Sequence, residues 1–376
     1  MRITSVKTFV MGVPGRNWTF VKIATDEGIY GWGEATFEWH EPAVVEGIKL
    51  LTPFLIGQDP TRIERIWQTI FRHHWWRLSV SMTSALSGID QALWDITGKA
   101  FGQPVYRLLG GACQDRIRLY PRVDLGLPSP IEEALAAHAE GFTAFKSGVE
   151  IGPNGFDEKE QVRQIAADCA GIEKALGKDF EMMLDLQAVF SYHSIVELAE
   201  RLSGLNIVWL EEPVPALTME TMTRLIDADV GIKLALGERL CSRWGFKEVL
   251  EKKAADIIQP DVCHTGGISE LRRIGAYAEI FGVSVAPHNP VGPVAMAASV
   301  HAAAAMPNFL ILEYCRRSPL FHQVQKSGIR IVRGYAELPE TPGLGIELDE
   351  ELIARHPYRP MPDRLWTRTD GSIPMV

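Results

Sequence analysis

Residues 3–10 and 19–25 alternate apolar and polar side chains with the period of two that a half-buried strand requires. The loop Val13-Pro14-Gly15-Arg16-Asn17 separates them. Asp26-Glu27-Gly28 then turns the chain into Tyr30-Gly31-Trp32-Gly33-Glu34, which predicts a three-stranded meander. The period next changes to that of a helix over residues 43–55, 62–71 and 81–101. The last of these sets Leu86, Ile89, Leu93 and Ile96 on one face. Gly110-Gly111 ends this α+β region.

From Arg116 the rhythm changes again. Short β-rich apolar runs recur at 117–123, 144–149, 181–187, 207–213, 232–238, 255–261, 283–289 and 309–315, with helical segments between them. Eight strands alternating with helices form parallel βα units, and eight of these close into a barrel. The short linker before the eighth run leaves either seven helices within the barrel or one irregular unit. The predicted fold class is therefore α/β, a (β/α)7β barrel of the TIM type over residues 116–325, preceded by an α+β domain over 1–115. Beyond about residue 325 the alternation stops. Pro342-Gly343-Leu344-Gly345-Ile346 leads into a polar tail, residues 326–376, expected to pack back on the N-terminal domain.

The 376 residues suffice for a barrel of roughly 200–250 residues plus a smaller domain. No run approaches the roughly 20 apolar residues of a membrane helix, which excludes a membrane-spanning role of that kind. The first residues lead straight into a strand-like run without a signal-peptide core, and the five cysteines (113, 169, 241, 263, 315) form no CxxC pair. Both features predict a cytoplasmic protein with reduced thiols. A formal charge of −9 without a Lys/Arg-rich block excludes an ordinary nucleic-acid binder. An anionic substrate would have to be drawn by local charges, such as a metal ion or one lysine. A closed homo-oligomer is the default assembly.

Barrel enzymes carry their reactive side chains where strands end. Here the third barrel strand ends Leu184-Asp185-Leu186-Gln187, the fourth Leu210-Glu211-Glu212-Pro213 and the fifth Leu236-Gly237-Glu238-Arg239. The spacings, 26 (211 − 185) and 27 (238 − 211), are each about one βα unit, so three carboxylates rise side by side. Such a cluster repels itself unless a cation sits within it, and all-oxygen donors suit Mg²⁺ or Mn²⁺. The alternative for each acid is a salt bridge at the barrel rim.

The sixth strand ends Gln259-Pro260-Asp261 and the seventh Ala286-Pro287-His288-Asn289. An aspartate beside a histidine fixes its tautomer and raises its basicity, which predicts a general base. Glu313 ends the eighth strand, placed either to hydrogen-bond substrate or to pair with Arg316 or Arg317. Lys146, on the second strand, could hold a substrate carboxylate opposite His288, or could be a solvated surface lysine.

The order Asp185, Glu211-Glu212-Pro213, Gly237-Glu238-Arg239, Gln259-Pro260-Asp261 and Pro287-His288 resembles the enolase superfamily, mandelate racemase branch. Residues 88–95 (GIDQALWD), 237–246 (GERLCSRWGF) and His264-Thr265-Gly266-Gly267-Ile268 resemble its sugar-acid dehydratases, above all those of the galactonate type, and Pro14-Gly15-Arg16-Asn17, residues 342–347 and His356-Pro357-Tyr358 resemble those of the mannonate type. The resemblance implies that the N-terminal domain and the tail form a cap over the barrel mouth. It also implies Mg²⁺ held by Asp185, Glu211 and Glu238, a His288–Asp261 base, and a sugar-acid substrate dehydrated to a 2-keto-3-deoxy acid.

Two positions depart from the family's patterns. Gln187 stands where galactonate dehydratases carry an acid histidine, and Gly148 where racemases carry a second lysine. With that acid absent, His288 could return its proton to the leaving hydroxyl, or Tyr192 or His193 could supply one. Cycloisomerisation or epimerisation of a sugar acid, and a catalytically silent barrel, remain as alternatives. Specificity is expected from Gln187, Arg239, Arg16, Asn17, Trp39, His40 and the run His73-His74-Trp75-Trp76-Arg77. Trp75 and Trp76 could equally pack the cap on the barrel.

Overall fold

The computed structural model describes residues 1–73, 79–122, 130–149, 155–215, 219–316, 318–361 and 367–373. Strands β1 (Ile3–Val13), β2 (Arg16–Thr25) and β3 (Tyr30–Glu34) form the expected antiparallel meander. Helices α1 (Glu41–Leu51), α2 (Ile63–His73) and α3 (Val80–Ala100) follow, and the short α4 (Val105–Leu108) leads out. β3 lies directly on α3. A Cβ at Gly33 would stand 1.9 Å from the Gly88 carbonyl oxygen, and one at Gly31 2.2 Å from that of Ala92, so only glycine allows this approach.

The barrel then alternates β4 (Arg116–Pro121), α5 (Pro130–Ala139), β5 (Ala144–Gly148), α6 (Glu158–Leu176), β6 (Glu181–Asp185), α7 (Tyr192–Arg201), β7 (Ile207–Glu211) and α8 (Met219–Asp227). It continues with β8 (Lys233–Leu236), α9 (Ser242–Glu251), β9 (Ile257–Ile258), α10 (Gly267–Ile280), β10 (Ser284–Val285), α11 (Pro293–Ala304) and β11 (Leu312–Tyr314). Strands β5 to β10 pair in parallel in sequence order. The parallel bridge Arg122–Lys146 joins β4 to β5, β4 pairs with β11, and the bridge Val285–Phe309 closes the ring. Among the described residues, seven helices separate eight strands, the (β/α)7β arrangement.

Several strands are shorter than expected at their C-terminal ends. β6 stops at Asp185 and β7 at Glu211 because Gln187 (φ 50°), Ala188 (φ 58°) and Glu212 (φ 41°) adopt left-handed backbone, which leaves the ladder. The interior is a ring of eight side chains, one from each strand or its continuation: Tyr120, Ala144, Met183, Trp209, Ala235, Ile257, Ala286 and Ile311. Alternation makes the second residue after each face inward again. Those positions are Arg122, Lys146, Asp185, Glu211, Gly237, Gln259, His288 and Glu313. The apolar ring is thus the floor of a polar one.

Each barrel helix starts where its strand has ended, so helix N-termini mark the mouth. The N-terminal domain docks there. Glu34 accepts hydrogen bonds from the Gly292 and Ala295 backbone N–H groups at the start of α11 (2.7 and 3.0 Å). Asp90 accepts from the Ser269 N–H and hydroxyl at the start of α10 (3.0 and 2.6 Å). Carboxylates suit helix N-termini, although burial pushes both up to about 7 against those donors. The polar side of α3 is therefore a joint, and its apolar residues Leu86, Ile89, Leu93 and Ile96 are buried as the periodicity predicts.

The tail adds α12 (Pro319–Gln323), β12 (Gln325–Ser327), β13 (Ile331–Val332), β14 (Tyr335–Glu337), β15 (Glu347–Leu348) and α13 (Glu350–Arg355). It returns to the N-terminal domain through Leu344 N–H to Asp95 (2.8 Å), Trp32 Nε1 to Glu347 (3.1 Å) and Lys22 to Glu350 (2.6 Å). No helix of the described residues is long and apolar enough to cross a membrane.

Candidate active site

The polar ring concentrates charge in a buried place. Lys146, 1% exposed, sets its Nζ 2.6 Å from Glu211 Oε1 and 3.0 Å from Glu313 Oε1. Burial alone would lower this ammonium, but Glu211 and Glu313 hold it well above its ordinary value. This overturns the surface reading: Lys146 is buried beneath the site as the counter-ion of Glu211 and Glu313. Glu313 does not pair with Arg316, and Arg317 lies outside the described residues. Glu313 accepts from Lys146 and the Asn289 N–H (3.0 Å), while Arg316 pairs with Glu133 and Glu140. Burial pushes Glu313 up, yet Lys146, His288 and that N–H bring it down to about 2.

Asp185 and Glu211 are register partners on adjacent strands, and Asp185 Oδ1 accepts the Gln187 N–H at 3.0 Å. Glu211 Oε2 accepts from Gln259 Nε2 (2.6 Å) and Trp209 Nε1 (3.1 Å). Burial, with Asp185 and further carboxylates nearby, raises Glu211 to about 7 despite Lys146, and Glu238 to about 7 despite His288. The three carboxylates therefore sense one another. Among the described residues no three His, Cys, Asp or Glu side chains converge as a metal grip; Glu211 turns to Lys146 and Glu238 to His288.

His288 Nδ1 lies 2.7 Å from Asp261 Oδ2 and Nε2 3.3 Å from Glu238 Oε2. An ionised Asp261 only accepts, so Nδ1 carries the proton and Nε2 faces Glu238. Burial lowers the imidazole, but Glu238, Asp261 and Glu313 outweigh it and raise the group to about 10. Asp261 is fully buried, which pushes it up. His264, His288 and the Cys263 N–H (2.6 Å) hold it below the usual carboxylate range.

These features have counterparts in known proteins. Residues 2–110 match the mandelate racemase/muconate lactonizing enzyme N-terminal domain, and residues 131–352 the enolase C-terminal domain-like family. The chain belongs to the mandelate racemase/muconate lactonizing enzyme family. It is 38% identical to the D-galactonate dehydratase of Ralstonia pickettii over 386 aligned positions, covering 99% of each chain. An enolase of Agrobacterium radiobacter with bound sodium and L-malate superposes with a TM-score of 0.92 at 33% identity over the whole of both chains. One from Pantoea ananatis, with bound D-gluconate and Mg, gives 0.92 at 31% over the same coverage.

Within this family member the expected specificity residues divide. Arg16 Nη1 bonds Glu38 Oε1 (3.0 Å) and the Pro290 carbonyl oxygen, so its loop reaches the chain just past His288. The half-buried Gln187 keeps only backbone bonds, and its carbonyl lies 3.5 Å from Arg239 Nη2 at the exposed rim. Asn17 is a correction. It is wholly buried, donates to Glu41 (3.2 Å) and the Arg359 carbonyl (3.0 Å), and accepts the Arg359 N–H (3.0 Å). Its amide pins the tail and is not presented to a ligand. Asn17→Ala should cost about 1–3 kcal/mol of stability and speed proteolysis of the tail; an unchanged melting curve would contradict this role. Trp76, with Trp75, His74 and Arg77, lies outside the described residues. Tyr192 lies under the Arg224 guanidinium of α8, 4.2 Å from its ring centroid, and His193 is exposed in the first turn of α7.

Three participants escaped the sequence reading. Gln259 holds Glu211, and Asn289 holds Glu313. His264 stands beyond Asp261, its Nε2 4.0 Å from Oδ2 and its Nδ1 2.9 Å from the Ser84 hydroxyl of α3. Counting by two from Ile257 would have found Gln259; His264 depends on the docked N-terminal domain and has no such signal.

Proposed function

We propose that this protein is a Mg²⁺-dependent sugar-acid dehydratase that converts an aldonate of the galactonate class into a 2-keto-3-deoxy acid. The observation that carries the reading is the single polar ring. It sets Asp185 and Glu211, with Glu238 beside them, opposite a histidine already oriented by a buried aspartate. The kinship with a D-galactonate dehydratase along the whole chain supports the same class.

The donor set fits a hard divalent cation. It offers three carboxylates on neighbouring strands, two of them pushed up to about 7 in part by mutual charge, which is the arrangement a cation relieves. Asp185, Glu211 and Glu238 would hold Mg²⁺. When bound, the ion supplies positive charge against the negative charge that develops on the substrate carboxylate as the α-proton leaves.

The chain's own residues perform the proton chemistry. Glu238, which helps raise His288 to about 10, would be engaged by the cation instead; neutral His288 Nε2 then takes the proton from C2, and Asp261 on Nδ1 stabilises the imidazolium. The C3–O bond then breaks, the departing hydroxyl takes the proton back from His288, and water leaves. The resulting enol becomes the 2-keto-3-deoxy acid. Gln187 cannot donate a proton and survive as a stable anion, so one residue serves as base and then acid. Lys146 and Gln259 hold Glu211 in place below.

The test is a screen of aldonic and aldaric acids with Mg²⁺, detecting 2-keto-3-deoxy products. Activity should vanish with EDTA. Gln187→His should retain turnover, because the scheme asks no proton of that position; loss of activity in that variant would contradict it.

A further inference from the structure

The proposed base stands on β9 and β10, yet one side of it is set from the N-terminal domain. Ser84, Ser87 and Gln91 recur along α3 at helical spacing, so they share one face. That face binds the loop between β9 and α10 turn by turn. Ser84 Oγ lies 2.9 Å from His264 Nδ1, Ser87 Oγ accepts the Gly266 N–H at 2.9 Å, and Gln91 Nε2 donates to the Val262 carbonyl at 3.3 Å. The same loop carries Asp261, whose own carbonyl accepts the His264 and Thr265 N–H groups at 3.0 and 2.9 Å. This turn sets the His264 ring beside the Asp261 carboxylate, with Nε2 4.0 Å from Oδ2. Phe37, on the segment after β3, packs on another side of the ring, the two centroids 5.3 Å apart.

The neighbours of His264 decide where its proton sits. A bare Nε2 would turn a lone pair toward a carboxylate, so Nε2 carries the proton. The Ser84 hydroxyl suits either form of the ring, donating to a neutral Nδ1 or accepting from an imidazolium. Either way an N–H points at Oδ2, the oxygen that also accepts from His288 Nδ1 at 2.7 Å. At 4.0 Å the contact is electrostatic, too long for a hydrogen bond. Oδ1 is meanwhile taken by the Cys263 N–H. We propose that His264 is a positioning residue for the proposed reaction: seated by Ser84 and Phe37 of the N-terminal domain, it holds the Asp261 carboxylate aimed at His288 Nδ1, so that docking of that domain sets the base. The proposal rests on the reading of His288 as that base.

The test compares His264→Leu, His264→Gln, Ser84→Ala and the His264→Leu/Ser84→Ala double variant, each as the full chain. The first readout needs no substrate: the downfield NMR resonance of the His288 Nδ1 proton, identified by its loss in His288→Asn. It should shift in His264→Leu and return toward its wild-type position in His264→Gln, whose amide can place an N–H near the former Nε2. The second readout is steady-state kinetics on the best aldonate of the screen. His264→Leu should lower kcat about 10- to 100-fold, the scale of one lost interaction with a charged group, with KM changed less than about threefold. His264→Gln should recover most of that loss. Ser84→Ala should lower kcat about two- to tenfold, the scale of one neutral hydrogen bond, and add nothing in the His264→Leu background. A wild-type resonance and kcat in His264→Leu, with only a lowered melting temperature, would make His264 part of the domain joint and overturn the proposal alone. Additive losses in the double variant would overturn the part given to the N-terminal domain. His288→Asn protein that kept turnover would overturn the base reading and the proposal with it. A wild-type protein that turned over no aldonate would overturn the sugar-acid reading, while the resonance would still decide whether His264 sets Asp261.

Discussion

His288→Asn should lower kcat by about a thousand-fold or more, the range expected when a positioned general base is lost. The asparagine Nδ2 can still donate toward Asp261 across the 2.7 Å contact, so the buried carboxylate keeps a partner and the fold should survive. What disappears is the lone pair on Nε2, and with it both the base of the first step and the acid of the second. The comparison with Glu238→Gln makes the result diagnostic. Both variants should be inactive, but only Glu238→Gln should also lose Mg²⁺ affinity in a direct titration. His288→Asn protein that retained more than about a tenth of wild-type kcat would remove His288 from the mechanism.

Lys146→Met should be the most damaging single change to stability. The side chain lengths are similar, so the substitution removes charge with little change in volume. Glu211 and Glu313, both buried, then face each other across the site without their shared cation. Breaking a buried pair from one side costs about 3–5 kcal/mol, against the 0–1 kcal/mol typical of an exposed lysine. A fall in melting temperature on the order of 5–10 °C follows for metal-free protein. Added Mg²⁺ should recover part of it, since a cation among the carboxylates replaces some of the missing charge. A variant as stable as wild type would return Lys146 to the solvated surface residue that the sequence also allowed.

The periodicities were enough to read the architecture. Alternation by two over residues 3–34, the helical period of α3, and eight apolar runs about one βα unit apart carry fold information locally, because each strand or helix must bury one face wherever it lies. The acids Asp185, Glu211 and Glu238, and the Asp261–His288 pair, were legible for a related reason. In a parallel barrel a position at a strand end is a position at the mouth.

What stayed hidden was how those side chains are spent. Nothing local distinguishes Lys146 as a buried counter-ion from Lys146 as a solvated surface residue; the answer lies in Glu211 and Glu313, which are 65 (211 − 146) and 167 (313 − 146) residues away. Asn17 looked like a loop residue free to contact a ligand until Arg359 closed on it from the tail. Gly148 looked like a missing lysine until Arg122 was found lying over it. The chain alone determined which residues reach the mouth, because strand parity and strand ends are local properties of sequence. Tertiary structure alone decided which of them are occupied by one another, because pairing of buried charges depends on distances between segments that only closing the barrel and docking the N-terminal domain bring together.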